Sequence, residues 1–274
     1  MITATRIESL IRGNCLEWMQ TQPDNAVDFT MGSPPYVFKG HRYIDGKKIK
    51  WTVETWIKWM LPIVQEAVRI TDGYVVFVAN GAIVQGAYQP ACEGLVYEAY
   101  RQGITCERPA IWSKNAPPNR NGVWFKNTWE FILAFKTADT KPHFDWEAIA
   151  EPPKYKTGGR FRQRTSNGER RLGNEYPQNK LALPPDLIRA TVGGGQMGHK
   201  LAHENEAPYP EKLVEPFVLT CCPRGGIVFD PFCGSGTTAA VAKRLGRQYI
   251  TIDIRESQID LARRRLADMQ LELF

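Results

Sequence analysis

The chain has 274 residues, of which 43% are hydrophobic and 11% aromatic, a composition that supports a sizeable core and excludes a disordered protein. Lys and Arg number 35 against 29 Asp and Glu, and this net charge of +6 fits a polyanionic partner once the positive charges are located. No basic start followed by an apolar run and no stretch of 18 apolar residues occurs, so we expect an unsecreted, cytoplasmic protein without a membrane span.

The first half of the chain alternates strand patterns with helix patterns. An apolar run that ends at Met31 predicts a buried strand. Helical spacing of apolar residues or continuous apolar runs then follow in turn at 53–70, 74–79, 90–102, 108–112 and 129–136. Such alternation predicts an α/β layer over residues 1–136.

A stiff loop, Ser33-Pro34-Pro35-Tyr36, follows the first buried strand. Each proline fixes its own φ at about −65° and lacks a backbone donor, so the loop holds its hydroxyl, its free carbonyls and its aromatic ring in fixed relation. Fixed acceptors beside a flat ring suit a planar ligand that carries an amino group, such as a nucleobase taken out of a duplex. A turn that merely ends a strand is the alternative for this tetrapeptide alone.

The composition changes between residues 137 and 200, which show little periodicity and much Gly, Pro, Arg and Lys. The basic residues concentrate at 154–171 against a single acid, Glu169, and the candidates for contact with a polyanion are Lys154, Lys156, Arg160, Arg162 and Arg164. A long irregular stretch inside a compact domain tends to be functional or disordered, and clustered cations suit phosphates. We therefore interpret 137–200 as an inserted recognition segment, with a solvated surface loop as the alternative.

The α/β pattern returns after His203. The predicted elements are a helix from 209 to about 222, a strand at 227–230, a helix at 238–245, a strand at 247–254 and a basic helix at 257–271 that carries Arg263, Arg264 and Arg265. Gly234 and Gly236 lie between the predicted strand at 227–230 and the helix at 238–245, where they let the backbone approach a ligand. The N-terminus of that helix favours negative charge. Asp253, at the end of the next strand, can accept hydrogen bonds from both hydroxyls of a ribose.

Two further details of the glycine loop restrict the class of ligand that it can bind. No Lys follows Gly236, as a phosphate-binding loop would require, and Ala239 stands where a dinucleotide fingerprint has its third glycine. The pattern therefore favours a nucleotide-like cofactor without a pyrophosphate. The six cysteines form no Cys-x-x-Cys pair and the four histidines lack metal-ligand spacing, so we expect reduced, mostly buried thiols and no metal site.

Taken together, these motifs resemble the β-group of amino-methylating DNA methyltransferases, which use S-adenosyl-L-methionine. The loop at 33–36 is similar to the catalytic motif of that family, and its cofactor loop is similar to Asp230-Pro231-Phe232-Cys233-Gly234-Ser235-Gly236-Thr237. Residues 207–213, Ala-Pro-Tyr-Pro-Glu-Lys-Leu, are similar to the start of the helix beside the cofactor. The catalytic motif comes first in the chain, the recognition region second and the cofactor motif last, which is the order that distinguishes this group. The resemblance covers nearly the whole chain except 37–52 and 137–200.

The resemblance implies a class I methyltransferase fold, a Rossmann-like α/β sheet that is mostly parallel with one antiparallel strand. This sheet would be circularly permuted and would carry an inserted DNA-recognition segment. The catalytic half is then 1–136, the target-recognition region 137–200 and the cofactor-binding half 201–274. Double-stranded DNA is the implied partner. The sequence leaves open whether the protein forms a homodimer, as is common in the family, and whether a companion restriction endonuclease exists.

The resemblance also implies how a base is methylated. A flipped-out base receives the methyl group directly on its exocyclic amine, and no nucleophilic cysteine is needed. On that model the catalytic residues are Ser33, Pro34, Pro35 and Tyr36. The Ser33 Oγ and the Pro34 carbonyl accept the amine hydrogens, while Tyr36 stacks on the base.

The implied cofactor contacts are Asn14, Asp230, Phe232, Gly234, Ser235, Gly236, Thr237 and Asp253. Asp253 would hold the ribose, and Thr237 would contact the carboxylate of the cofactor. Asn14 stands where the family often has Asp, so we expect a weaker or rearranged contact near the adenine.

In this family Ser at the first catalytic position is associated with cytosine N4 and Asp with adenine N6. Ser33 therefore favours a sequence-specific cytosine-N4 methyltransferase, with the same enzyme acting on adenine N6 as the close rival. Two rivals come from other classes. One is a DNA-binding module whose α/β domain no longer catalyses a reaction, and the other is a dinucleotide-dependent oxidoreductase.

Overall fold

A computed structural model describes residues 7–38, 41–42, 48–115, 127–138, 141–155, 158–176, 178–193 and 195–271. The strands are β1 (Glu8–Arg12), β2 (Phe29–Gly32), β3 (His41–Arg42), β4 (Lys48–Ile49), β5 (Val75–Ala79), β6 (Ala82–Val84), β7 (Ala87–Gln89), β8 (Thr105–Cys106), β9 (Ala110–Ser113), β10 (Trp129–Lys136), β11 (Gly159–Arg164), β12 (Arg170–Tyr176), β13 (Leu187–Arg189), β14 (Ile227–Asp230) and β15 (Gln248–Asp253). The helices are α1 (Cys15–Gln20), α2 (Val53–Ile70), α3 (Ala91–Arg101), α4 (Glu211–Cys221), α5 (Thr237–Arg244) and α6 (Glu256–Leu271), with 3-10 turns at Trp146–Ile149 and Lys200–Glu204. None of the helices in these ranges is long and apolar enough to cross a membrane.

The main sheet has the strand order β1-β15-β14-β2-β5-β10-β9-β13, and β8 pairs with β10 beside that path. Every pairing that involves β10 is antiparallel, whereas the other pairings of this sheet are parallel. The sheet therefore has the predicted composition, mostly parallel with one antiparallel strand. The last two strands of the chain, β14 and β15, lie between β1 and β2, which is the arrangement of a permuted sheet.

Helices cover both faces of this sheet. Alternate residues of a strand point to opposite faces, so the contacts of a single strand show both helical layers. On β5, Val75 and Phe77 pack in one apolar cluster with α1, α2 and α3. Val76 and Val78 pack in a second cluster with α4 and α5. All five residues of β5 are buried, as predicted for a parallel strand between two helical layers.

The chain divides into two compact units. One unit contains the described residues up to Phe144 and from Asp186 onward, and the other is Asp145–Pro185. Within the smaller unit β11 and β12 form an antiparallel hairpin with an irregularity between Arg160 and Arg162. The strand β13 pairs with β9 in the main sheet, so the compact unit is shorter than the recognition segment predicted at 137–200.

Candidate active site

The stiff loop and the glycine loop leave the same edge of the sheet. β2 and β14 are neighbouring parallel strands, so the residues that follow Gly32 and those that follow Asp230 emerge side by side. In open α/β sheets ligands bind in the crevice at the carboxyl ends of the strands. A β-carbon at Gly32 would lie 2.7 Å from Asp230 Oδ1 and 3.3 Å from the Pro231 ring. Gly32 therefore permits the close approach of the two loops, a role that sequence reasoning missed.

The stiff loop is held from two sides. The Ser33 hydroxyl donates a hydrogen bond to the carbonyl of Val78, 3.0 Å away on β5. On the other side Trp56 of α2, completely buried, donates its indole N–H to the Pro35 carbonyl at 2.7 Å. Since Ser33 uses its hydrogen toward β5, lone pairs of its Oγ remain as acceptors for a ligand.

The Tyr36 hydroxyl donates a hydrogen bond to Glu130 on β10. The other carboxylate oxygen of Glu130 pairs with the ammonium group of Lys114, which follows β9. Burial, and next the Glu130 charge, raise the pKa of Tyr36 well above its ordinary value of 10, so the phenol stays protonated and acts as a donor. Sequence reasoning identified Tyr36 but neither Glu130 nor Lys114.

A cavity of about 570 Å³ opens beside this network. Its lining includes Tyr36, Lys114 and Glu130, together with Asn80 at the end of β5 and the strand β6. Small-molecule sites commonly measure about 300–1,000 Å³, so the cavity has room for a planar heterocycle. Of the predicted catalytic residues, Tyr36 faces this cavity, while Ser33 and the prolines form the loop that leads to it.

The glycine loop depends on two residues with left-handed backbone conformation. Gly234 has a φ of 51° and Gly236 a φ of 74°, which other residues adopt only at a cost. The N–H of Gly234 donates to Asp253 Oδ2 at 3.0 Å, and Asp253 Oδ1 accepts from the Arg255 N–H at 2.9 Å. The carboxylate predicted to hold a ribose thus also fixes the shape of the loop, and burial raises its pKa.

Asp230 is 2% exposed at the start of the glycine loop. Its Oδ1 accepts from the Phe232 N–H at 2.9 Å, and its Oδ2 accepts from the Tyr209 hydroxyl at 3.4 Å. Burial raises the pKa of Asp230 to about 7, although hydrogen bonds from Thr238 and the Phe232 backbone act in the opposite direction. A carboxyl group in this state gains a proton easily and favours a nearby cation.

Arg265 of α6 donates hydrogen bonds to the end of the glycine loop. The sequence predicts only a basic helix here, but the Arg265 side chain is completely buried and forms an ion pair with Glu211 at 2.6 Å. It donates to Thr237 Oγ1 at 2.9 Å and to the Ser235 carbonyl at 3.3 Å. Two predicted cofactor residues, Ser235 and Thr237, therefore take their positions from a residue that sequence reasoning did not assign to the site.

Asn14 and Phe232 each follow the carboxyl end of a strand, Asn14 after β1 and Phe232 after β14. Asn14 caps α1, because its Oδ1 accepts the Leu16 N–H at 3.0 Å, and the preceding residue, Gly13, donates to the Asp253 carbonyl at 3.0 Å. Phe232 packs with its ring centroid 6.0 Å from that of Phe77. Both predicted residues thus neighbour the strand ends that carry the rest of the site.

The basic residues predicted to contact a polyanion belong to the smaller unit. Lys154, Arg160, Arg162 and Arg164 are exposed, while Lys156 lies outside the described residues. In the hairpin register Arg164 stands directly opposite Arg170. Like charges opposite each other destabilise a hairpin, and an anion between them would relieve that repulsion.

The cysteine thiols are free and mostly buried. All six cysteines lie in the described ranges and are free, and five of them are buried. Burial raises the pKa of Cys15, the cysteine after Asn14, to about 12, which leaves it protonated and a poor nucleophile. No cluster of three or more His, Cys, Asp or Glu side chains that could hold a metal ion occurs among the residues that the structure describes.

A family model and curated relatives that match this chain are DNA methylases or methyltransferases. The family model N6_N4_Mtase, described as DNA methylase, matches residues 27–264. Among curated proteins, the type II methyltransferase M.HinfI of Haemophilus influenzae is 26% identical over 96% of this chain and 69% of its own length. The type II methyltransferase M.ScaI of Streptomyces caespitosus is 25% identical over 97% of this chain and 83% of its own length.

Two solved structures share the fold. The PvuII DNA methyltransferase, named as cytosine-N4-specific, superimposes with a TM-score of 0.70 at 17% identity, covering 95% of this chain and 86% of its own. TTHA0409 of Thermus thermophilus, solved with S-adenosyl-L-methionine, gives a TM-score of 0.65 at 21% identity, covering 96% of this chain and 94% of its own. These likenesses confirm the predicted permuted class I methyltransferase fold.

Proposed function

The chain belongs to the N6/N4 methyltransferase family of DNA methylases, and from that premise we propose that it transfers a methyl group from S-adenosyl-L-methionine to cytosine N4 in a specific DNA sequence. DNA methylation follows from the family. The choice of cytosine N4 over adenine N6 rests on Ser33 and is favoured by the fold shared with the cytosine-N4-specific PvuII enzyme.

The observation that carries the proposal is the hydrogen bond from the Ser33 hydroxyl to the Val78 carbonyl. This bond commits the Ser33 hydrogen to β5 and leaves the oxygen as a neutral acceptor. An exocyclic amine needs such an acceptor, because its lone pair is delocalised into the ring and must be freed toward the methyl group. The stiff prolines, and Trp56 bonded to the Pro35 carbonyl, keep the acceptor in place.

S-adenosyl-L-methionine fits the residues of the glycine loop. The cofactor carries positive charge on its sulfonium and amino groups, and Asp230 is a buried carboxyl group whose pKa near 7 makes it responsive to a cation. Gly234 and Gly236 have no side chains that would keep a ligand away from the loop backbone, and the carboxylate oxygens of Asp253 lie beside the loop as acceptors. When bound, the cofactor supplies the electrophilic methyl group.

The remaining steps fall to residues of the chain itself. The cavity beside Tyr36 would receive a cytosine turned out of the duplex, with the Tyr36 ring stacked against it. The Ser33 Oγ and the Pro34 carbonyl would accept hydrogen bonds from the two amine hydrogens and so orient the nitrogen lone pair. Once methylated, the amine would release one of these protons to solvent. Catalysis in this mechanism is orientation and polarisation, without a covalent enzyme intermediate.

Contact with DNA is assigned to the predicted segment 137–200, which contains the smaller unit. Its exposed arginines at 160, 162 and 164 would contact phosphates, which position the protein without specifying sequence. Base-edge contacts would come from other side chains of the predicted segment 137–200. The type II names of M.HinfI and M.ScaI support a restriction-modification setting, in which a companion endonuclease reads the same site.

The proposal is tested by following a radiolabelled methyl group from the cofactor to mixed-sequence DNA. The wild-type chain should label the DNA, and Ser33→Ala should lose most of the transfer rate while its cofactor affinity, measured by titration, stays within about twofold. Ser33→Ala that labels DNA at the wild-type rate would remove Ser33 from the mechanism. A wild-type chain that binds DNA but never labels it would favour a binding module.

A further inference from the structure

Glu130 lies outside every motif that identified the site, yet it contacts the catalytic loop directly. It is 6% exposed on β10, the antiparallel strand of the sheet. One of its carboxylate oxygens accepts the Tyr36 hydroxyl and the other pairs with Lys114. A buried carboxylate is costly unless it is paired, so both partners are needed to keep Glu130 in this place.

Lys114 is itself fixed beside Glu130. Its backbone N–H donates to the Thr128 carbonyl at 2.8 Å, which joins the ends of β9 and β10. Its ammonium group lies 5.3 Å from the centre of the Trp112 ring. The cation that balances Glu130 is therefore held by the sheet and not by a mobile loop.

The arrangement fixes the Tyr36 ring at both ends. At its backbone end the ring follows Pro35, whose carbonyl is bonded to the buried Trp56. At its hydroxyl end the ring is bonded to Glu130. A ring held in this way has its plane set before any base arrives, and such preorganisation lowers the cost of reaching a reactive geometry.

We propose that Glu130 is a positioning residue for methyl transfer, which sets the plane of the Tyr36 ring through its hydroxyl while Lys114 supplies the balancing charge. This inference rests on the proposed function, because it assigns Glu130 a part in the step that the Tyr36 ring assists. Glu130 lines the cavity assigned to the base, and the role proposed for it is exerted through its contact with the Tyr36 hydroxyl.

The test uses three variants and single-turnover methyl transfer to DNA. Tyr36→Phe keeps the ring and removes its hydroxyl, Glu130→Gln keeps the shape and removes the charge, and the third variant combines both. Each single variant should lower the transfer rate by about tenfold to 100-fold, the range for a mispositioned reacting group. Glu130→Gln keeps an oxygen acceptor and weakens the contact with the Tyr36 hydroxyl, whereas Tyr36→Phe removes that contact. The double variant should therefore be no slower than Tyr36→Phe alone.

A matched control comes from the same strand. Lys136 of β10 forms an ion pair with Glu107 at 2.8 Å, at the opposite end of the strand from Glu130. Lys136→Gln should leave the transfer rate within about twofold of wild type. Cofactor affinity should be unchanged in all four variants, which separates loss of positioning from general damage to the fold.

The outcomes separate this inference from the function beneath it. If the wild type transfers methyl groups and Glu130→Gln matches its rate, the positioning role is wrong and the function stands. If the effects of Tyr36→Phe and Glu130→Gln multiply in the double variant, Glu130 acts independently of Tyr36 and the inference is equally wrong. A wild type that transfers no methyl group overturns both.

Discussion

Gly32 lies so close to Asp230 that a β-carbon on Gly32 would stand 2.7 Å from the carboxylate oxygen Oδ1. The catalytic and cofactor motifs, from opposite ends of the chain, therefore meet across a position without a side chain. In the proposed mechanism the first loop accepts the amine and the second holds the methyl donor, and this close approach would give the short separation that methyl transfer requires.

The first prediction concerns this contact. Gly32→Ala should weaken cofactor binding and lower stability by about 1–3 kcal/mol, because the new methyl group must displace Asp230 or the loop that follows it. Cofactor titration and urea unfolding measure the two effects. For stability Gly13→Ala is the control, since a β-carbon there meets no atom within 4 Å. Equal stability of the two variants would contradict the contact.

The second prediction concerns pH. Burial raises the pKa of Asp230 to about 7, and a bound cation should lower it again, so cofactor binding should release a proton. Affinity should then rise from about pH 5.5 to about pH 7, by up to about tenfold per pH unit, and level off above. Calorimetry in buffers of different ionisation enthalpy counts the protons. Asp230→Asn should bind more weakly and lose this dependence; a flat wild-type profile would show that Asp230 does not respond to the cofactor.

The third prediction concerns the ribose. Asp253→Ala should weaken cofactor binding by about 1–3 kcal/mol, as for the loss of hydrogen bonds to a charged group. Part of the loss would come from the Gly234 N–H, which no longer has its acceptor. Asp253→Asn, which keeps an oxygen acceptor, should lose less. Wild-type affinity of Asp253→Ala in a direct titration would exclude Asp253 from the cofactor site.

The fourth prediction concerns phosphate binding. Replacing Arg160, Arg162 and Arg164 by Gln should reduce the slope of log affinity for DNA against log salt concentration by about 0.9 for each phosphate that is no longer neutralised. Fluorescence anisotropy over a salt series measures the slope. A control with the exposed Arg101, Arg108 and Arg263 of the larger unit replaced by Gln should keep the wild-type slope. Equal slopes in all three proteins would place the phosphate-binding residues elsewhere.

Local patterns predicted the regular elements well. The helix predicted at 53–70 has those bounds in α2, where Thr52 and Thr55 form a capping box at its start. The strand predicted at 129–136 is β10. These elements carry strong periodicity and clear end signals, so the residues within each of them suffice to predict it.

Long-range contacts were missed because no local pattern encodes them. Glu130 is 94 residues from Tyr36 in sequence, and it is one of two charged residues in the otherwise apolar strand β10. Arg265 belongs to a run of three arginines, which indicates a solvated face, yet it is completely buried against Glu211. In the segment predicted to be irregular, the hairpin of β11 and β12 consists mostly of polar residues, and its few apolar ones, such as Phe161 and Leu172, give no sustained alternation.

Identification of the methylated base is the decisive experiment for the proposed reaction. The protein is incubated with unmethylated mixed-sequence DNA and a cofactor that carries a deuterated methyl group, and the DNA is digested to nucleosides for mass spectrometry. We expect labelled N4-methylcytosine, which should be absent from a parallel reaction with Ser33→Ala. Labelled N6-methyladenine in its place would contradict the assignment of cytosine through Ser33.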